Sequence, residues 1–312
     1  MVEESVSRLK YTIVVGNGFD LDLNFKTRYS DFVESEEWNT MYEQRSRNRQ
    51  YSLLQYLNGK RFIDEWFDIE SALLDYVSRR KDGSFVNNVE QDKEDYDSIC
   101  KSLNNYLKNH IGKSHHSIYD TCAGKILKVV DRIDYRDDVR FYSFNFTPIE
   151  LYFSVLSVIH SPKVNYVHGT IEDSSLILGV EVEDFGEMAP GYSFLIKSNN
   201  SSYKSSELAS DLKNSQEVVF FGHSLNNIDM GYFEEYFKMM ERNDDNTKHI
   251  TIITYDENSK QQLLDNLRKR GISVQKLYTH SHVEVIRTKF VNDNQNNSDT
   301  LAFNQLLERL RK

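Results

Sequence analysis

T-I-V-V-G-N-G-F-D, residues 12–20, decides the fold: four β-prone residues run straight into a two-glycine loop that closes on an aromatic and a carboxylate. A strand covered on both faces reads as a short continuous apolar run. The turn after it needs residues lacking Cβ where backbone must come close to a neighbour or a ligand. The loop supplies Gly16 and Gly18 but not the third glycine of the dinucleotide fingerprint, so on its own it is equally an ordinary strand-to-helix turn.

Downstream, the chain changes character twice. Thr27 opens a helical pattern as the expected N-cap, with Asp31 early in the helix, where the positive end of the dipole favours a carboxylate. Apolar residues then recur at three- and four-residue spacings through Phe62, Trp66, Ile69, Leu73, Leu74 and Tyr76, and again through Leu103, Tyr106, Leu107, His110 and Ile111. The polar stretch 80–95 between them reads as a loop. From residue 139 short β-rich runs take over: V-R-F-Y-S-F-N (139–145), V-N-Y-V-H (164–168), 176–180, V-V-F-F (218–221) and H-I-T-I-I-T (249–254). A helical pattern at Tyr232, Phe233, Tyr236, Phe237 and Met240 separates the last two, its aromatics read as core. Leu306, Leu307 and Leu310 mark a closing helix that packs on the sheet. Strands alternating with helices predict an α/β fold with a Rossmann-like parallel sheet: one domain over 1–312 with a large helical insertion at about 28–134. The Ser- and Asn-rich segment 197–206 reads as a mobile loop, and the acidic stretch 181–187 follows the run at 176–180.

Composition narrows the function classes. Of 312 residues, 39% are hydrophobic and 28% charged, and no run of about 18 apolar residues occurs, so no membrane span is expected. Residues 1–10 carry Glu3 and Glu4 and no apolar signal core, which points to a cytoplasmic protein. A net charge of −10 repels phosphate backbones and disfavours general nucleic-acid binding. Cys100 and Cys122 are the only cysteines, too few for a zinc module. His115, His116, His280 and His282 have no carboxylate or cysteine partner at ligand spacing and read as solvated surface, so no metal is expected.

Ligands of an open parallel sheet lie outside the carboxyl ends of its strands. The expected strand ends present Gly16, Asn17, Gly18, Phe19 and Asp20, then Asn145 to Thr147, His168 with Gly169, Gly222, His223 and Ser224, and Tyr255 with Asp256. Each residue has a plainer role open to it. Asn145 can be a turn or N-cap residue, His168 a strand-end histidine satisfied by a carbonyl, and His223 a turn-closing side chain. Trp66 and Ile69 read as core, leaving Asp68 and Glu70 for solvent or the cleft.

G-N-G-F-D at 16–20, T-R-Y-S-D-F at 27–32, W-F-D-I-E at 66–70, S-F-N-F-T at 143–147, V-H-G at 167–169 and F-G-H-S-L at 221–225 together resemble the bacterial abortive-infection AbiH family. The resemblance implies a role in defence against bacteriophage. The same order of motifs is distantly similar to sirtuin-like NAD-consuming domains. That similarity implies Asn145 and His168 as catalytic residues, and contacts to NAD from the 16–20 loop, Thr147, Gly222, His223, Ser224 and Tyr255. The four-cysteine zinc lobe of protein-deacylating sirtuins has no counterpart here, so the expected reaction is hydrolysis of NAD to nicotinamide and ADP-ribose. In that chemistry an Asn positions a ribose hydroxyl or water, a neutral His accepts a proton, and Asp20 or Glu70 steadies the developing cation. A non-catalytic nucleotide-binding sensor or scaffold is the alternative, with a nuclease effector third. Control of such an activity calls for a homo-oligomer or a defence partner protein, with the helical insertion as the expected place for it.

Overall fold

The computed structural model describes residues 10–46, 51–63, 68–79, 88–111, 118–131, 138–155, 163–172, 175–181, 191–201, 203, 205–242, 248–291 and 297–311. Trp66, His115 and His116, most of the acidic stretch after Glu181 and the start of the polar stretch at 80–87 lie outside them. In chain order, β1 (Tyr11–Val15) leads into α1 (Asn17–Asp22). Five helices follow: α2 (Tyr29–Val33), α3 (Glu36–Ser46), α4 (Leu53–Lys60), α5 (Ile69–Ser78) and α6 (Val89–His110). Next come α7 (Cys122–Val130), β2 (Val139–Ser143), α8 (Glu150–Val155), β3 (Val164–Tyr166), α9 (Leu208–Asn214), β4 (Glu217–Phe221) and α10 (Glu234–Met240). The chain closes with β5 (His249–Thr254), α11 (Glu257–Lys269), α12 (Val274–His280), β6 (His282–Arg287), α13 (Thr288–Val291) and α14 (Ser298–Arg311).

Two compact units divide these elements. The first takes Met1–Phe25, His115–Val167 and Lys204–Lys312; the second takes Lys26–Ser114 and His168–Tyr203. Of the helical stretch expected between 28 and 134, α2 to α6 belong to the second unit and α7 to the first.

The first unit holds one six-stranded sheet in the order β3-β2-β1-β4-β5-β6, with every neighbouring pair parallel. This is the doubly wound order, reversing direction between β1 and β4. All five residues of β1 are buried, because the pleat sends alternate side chains into two separate cores. Tyr11, Ile13 and Val15 join Phe141, Phe221 and Ile253 against Ile126 and Leu127 of α7 and Phe303, Leu306 and Leu310 of α14. On the other face Val14, Tyr142, Val218, Phe220 and Ile252 meet Leu212 of α9, Phe237 and Met240 of α10, and Leu263 and Leu267 of α11. The closing leucines and the aromatics Phe233, Tyr236 and Phe237 are thus core, as their spacing predicts.

Several local expectations are corrected. The first helix of the second unit is capped by Arg28 rather than Thr27, whose place lies before the turn, and Asp31 Oδ2 accepts the Arg28 backbone N–H at 3.2 Å. The polar stretch read as loop to residue 95 is helical from Val89, since Asn88 caps α6 by accepting from the Gln91 N–H. Asp92 and Asp95 then point from α6 to the Leu53 and Leu54 N–H groups at 3.0 and 3.3 Å, supplying acceptors to the start of α4. Residues 176–180 make no ladder strand, only an isolated bridge from Val180 to Ile196. The expected mobile loop at 197–206 starts with a short 3-10 turn, Lys197–Asn199, whose first side chain is buried.

Candidate functional site

At the point where strand order reverses, the β1 and β4 exits lie backbone against backbone. The Gly16 N–H donates to the Phe221 carbonyl at 3.0 Å, and the Gly18 N–H to the Gly222 carbonyl at 2.9 Å. Gly222 has φ +64°, and a Cβ there would stand 2.4 Å from Gly18. The two motifs G-N-G and F-G-H therefore specify each other: both need hydrogen in place of a side chain for this approach. Two of the loop's N–H groups are committed to carbonyls at the end of β4 and just past it. Asn17 begins α1, and Phe19, fully buried, packs edge-on against Phe221 with centroids 5.1 Å apart.

Asp20, on the same short helix, is 1% exposed. Its Oδ1 accepts from Asn145 Nδ2 at 3.0 Å, and the same amide donates to the Gly16 carbonyl at 3.0 Å. Asn145 is delivered by the turn after β2, where its N–H bonds Ser143 Oγ at 3.2 Å. Both amide hydrogens of Asn145 thus tie the β2 exit to the β1 exit. Burial drives the Asp20 carboxyl up to about 7, opposed by the Thr147 and Asn145 side chains. Asp20 Oδ2 has no hydrogen-bond partner of normal geometry. The result is a sequestered acid that changes charge near neutral pH, held by one amide and one hydroxyl.

Further along the edge, His223 is buried between Phe144 and Phe233, with ring centroids 4.6 and 5.1 Å away. Its Nδ1 accepts the Leu225 N–H at 3.0 Å, which assigns the ring proton to Nε2, 3.8 Å from Asp229 Oδ2. His223 therefore closes the turn after β4. Ser224 and Tyr255 are exposed; the Tyr255 ring is 61% accessible, with Lys289 Nζ 5.8 Å from its centroid.

His168 belongs to the second unit and is described there. It is 3% exposed and its Nε2 stands 3.3 Å from Lys197 Nζ. Lys197, fully buried, also pairs with Glu70 at 3.0 Å, and Glu70 Oε1 accepts the Gly179 N–H at 3.1 Å. With the ammonium donating to Nε2, the imidazole is neutral and carries its proton on Nδ1. Glu70 is thus neutralised by a lysine, while Asp68 caps α5 through the Glu70 N–H. Sequence reasoning missed Lys197, masked by the polar run that follows it. The available signal was its place directly after the apolar F-L-I run at 194–196. The second unit also has an open groove of about 590 Å³ between α3 and α6, lined by polar groups including Gln44, Arg45, Lys101 and Asn105. None of the expected site residues lines it.

The structure thus brings Gly16, Gly18, Asp20, Asn145, Thr147, Gly222 and His223 into one unit around the sheet's carboxyl edge, and puts Lys197, Glu70 and His168 in the other. Among the described residues no group of three His, Cys, Asp or Glu side chains is placed to hold a metal ion, and no helix is long and apolar enough to cross a membrane. No curated protein matches the chain. Residues 12–255, well over half of the 312, match the family described as Bacteriophage abortive infection AbiH, and every motif from G-N-G-F-D through F-G-H-S-L falls inside that span; the chain belongs to the AbiH family.

Proposed function

We propose that this abortive-infection protein is an NAD hydrolase in which Asp20 is the acid–base residue and Asn145 positions it. The observation that carries the reading is the Asp20–Asn145 pair at the reversal point of a doubly wound sheet, where nucleotides bind in this architecture. Water attacks the ribose C1′ as the glycosidic bond breaks; nicotinamide leaves neutral, and the water's proton passes to the carboxylate and then to solvent. An ionised Asp20 serves twice: it takes that proton and its charge opposes the oxocarbenium character of the ribose. A carboxyl titrating at about 7 is suited to proton transfer at cellular pH. Tyr255, exposed at the β5 exit, offers a face for the adenine.

A second reading keeps the crevice without turnover. In either reading the Gly16 and Gly18 N–H groups, bonded to the Phe221 and Gly222 carbonyls, are not donors to a pyrophosphate. Incubating the purified protein with NAD and following free nicotinamide separates the two. Release that disappears in Asn145→Ala supports hydrolysis; NAD binding with no nicotinamide supports the sensor.

A further inference from the structure

The turn after β4 combines a strained backbone with a side chain that can change charge. Gly222 has φ +64° and Leu225 φ +47°, and a bulky residue holds that left-handed conformation only where its surroundings impose it. Two contacts do so. The Leu225 side chain is fully buried in the core with Phe220 and Phe233, and its N–H donates to His223 Nδ1 at 3.0 Å. That bond needs the ring's lone pair. A neutral imidazole with its hydrogen on Nε2 supplies it, whereas an imidazolium has hydrogen on both nitrogens and no acceptor in any ring orientation. The proton that charges the ring therefore arrives at the atom that holds Leu225. Asp229 Oδ2, 3.8 Å from Nε2, favours the charged ring, so the turn and the carboxylate make opposing demands on one side chain.

We propose that this turn is a proton-operated switch: neutral His223 holds the Leu225 N–H, and protonation at Nδ1 releases it while the cationic ring stays with Asp229. The groups that face the ring are Asp229, Phe144 from the β2 exit, Phe233 ahead of α10 and Gly16 from the β1 exit, and of these Asp229 alone is charged. Tyr232 packs against the Phe144 and Phe233 rings. Opening of the turn is felt by the β1 loop, because the Gly18 N–H bonds the Gly222 carbonyl at 2.9 Å and a Cβ on Gly16 would stand 2.7 Å from the His223 Cα. The rim of the crevice thus changes shape with pH whatever it binds, and the switch does not rest on the hydrolase reading.

Nitrogen NMR of the whole protein between pH 8 and pH 5, without NAD, tests the switch. At pH 8 the His223 ring is expected to show a bare Nδ1 and a protonated Nε2; hydrogen on Nδ1 would overturn the proposal. As the pH falls, charging of the ring and loss of Leu225 amide protection against hydrogen exchange are expected to share one midpoint, with protection down about tenfold or more at pH 5. A ring that stays neutral to pH 5, or a charged ring with Leu225 still protected, refutes the switch. His223→Asn keeps an acceptor two residues before Leu225 and cannot be charged, so it is expected to leave Leu225 equally protected at both pH values. Asp20, which also takes up a proton over this range, is intact in that variant. Protection lost there at pH 5 alone assigns the opening to another group and overturns the proposal. Should Asn fail to hold the turn even at pH 8, the wild-type midpoints decide the case. Asp229→Asn is expected to move the shared midpoint to lower pH; an unmoved midpoint overturns the pairing on which the charged state depends.

Discussion

Asp20 combines two properties that pull in opposite directions, burial that disfavours its charge and an amide clamp that keeps it in place. Because its folded value of about 7 lies above the ordinary 3.8, the native state holds the proton more tightly than the unfolded chain does. Wild-type stability from this group therefore falls as pH rises from about 4 to about 7, and the full penalty remains above that. Asp20→Asn removes the charge and keeps the shape. Its stability is expected to equal wild type at pH 4 and to exceed it at pH 8, by up to about 4 kcal/mol in urea denaturation. A variant less stable at pH 8 would mean that the carboxylate is stabilised in place. Asn145→Ala removes both clamp bonds and leaves the Gly16 carbonyl and Asp20 Oδ1 to find others, an expected loss of about 1–3 kcal/mol on the same measurement.

Between elements, the approach of the β1 and β4 exits is the feature most directly open to test. Gly222 and Gly271 both have positive φ, +64° and +74°, but a Cβ on Gly271 meets nothing within 4 Å whereas one on Gly222 meets Gly18 backbone at 2.4 Å. Gly271→Ala is expected to cost about 1 kcal/mol from conformation alone, and Gly222→Ala at least about 2 kcal/mol more, since backbone must move. Equal costs in chemical denaturation would show that the loops tolerate separation. In the second unit, Lys197→Met strands the Glu70 charge away from water and is expected to destabilise by about 3–5 kcal/mol. Adding Glu70→Gln is expected to recover most of that loss; no recovery in the double variant would deny the pairing its role.

These elements also show what was readable from the chain. Parallel strands buried on both faces announce themselves as runs such as Y-T-I-V-V and E-V-V-F-F, so β1 to β5 were legible, with the Asp20, Asn145 and Gly222 positions at their exits, whereas the half-buried edge strand β6 was not read as a strand. Helix starts were less so. The Arg28 cap works through its backbone N–H on Asp31, a bond that residue-type preferences at the cap do not encode. The α6 start lay inside a polar stretch because Asp92 and Asp95 face inward to serve α4. Lys197 was missed for the same reason: charged residues read as solvated unless their buried partners are known, and Glu70 is 127 residues away.

For the whole molecule, the strand order 3-2-1-4-5-6 and the family match together frame the chain as an abortive-infection protein built on a doubly wound parallel sheet. The sheet and the exits of β1, β2, β4 and β5 lie in the first unit, while His168, which follows the β3 exit, lies with Glu70 and Lys197 in the second. The hydrolase proposal rests on Asp20, in the first unit. If Asp20 works as a carboxylate, turnover rises with pH through about 7 and levels above it. The most direct test is nicotinamide release from NAD at pH 8 by wild type and Asp20→Asn side by side, with melting curves on the same samples. The account predicts release by wild type and none by a variant that melts no lower. Equal release by both proteins, or none from wild type, would contradict it.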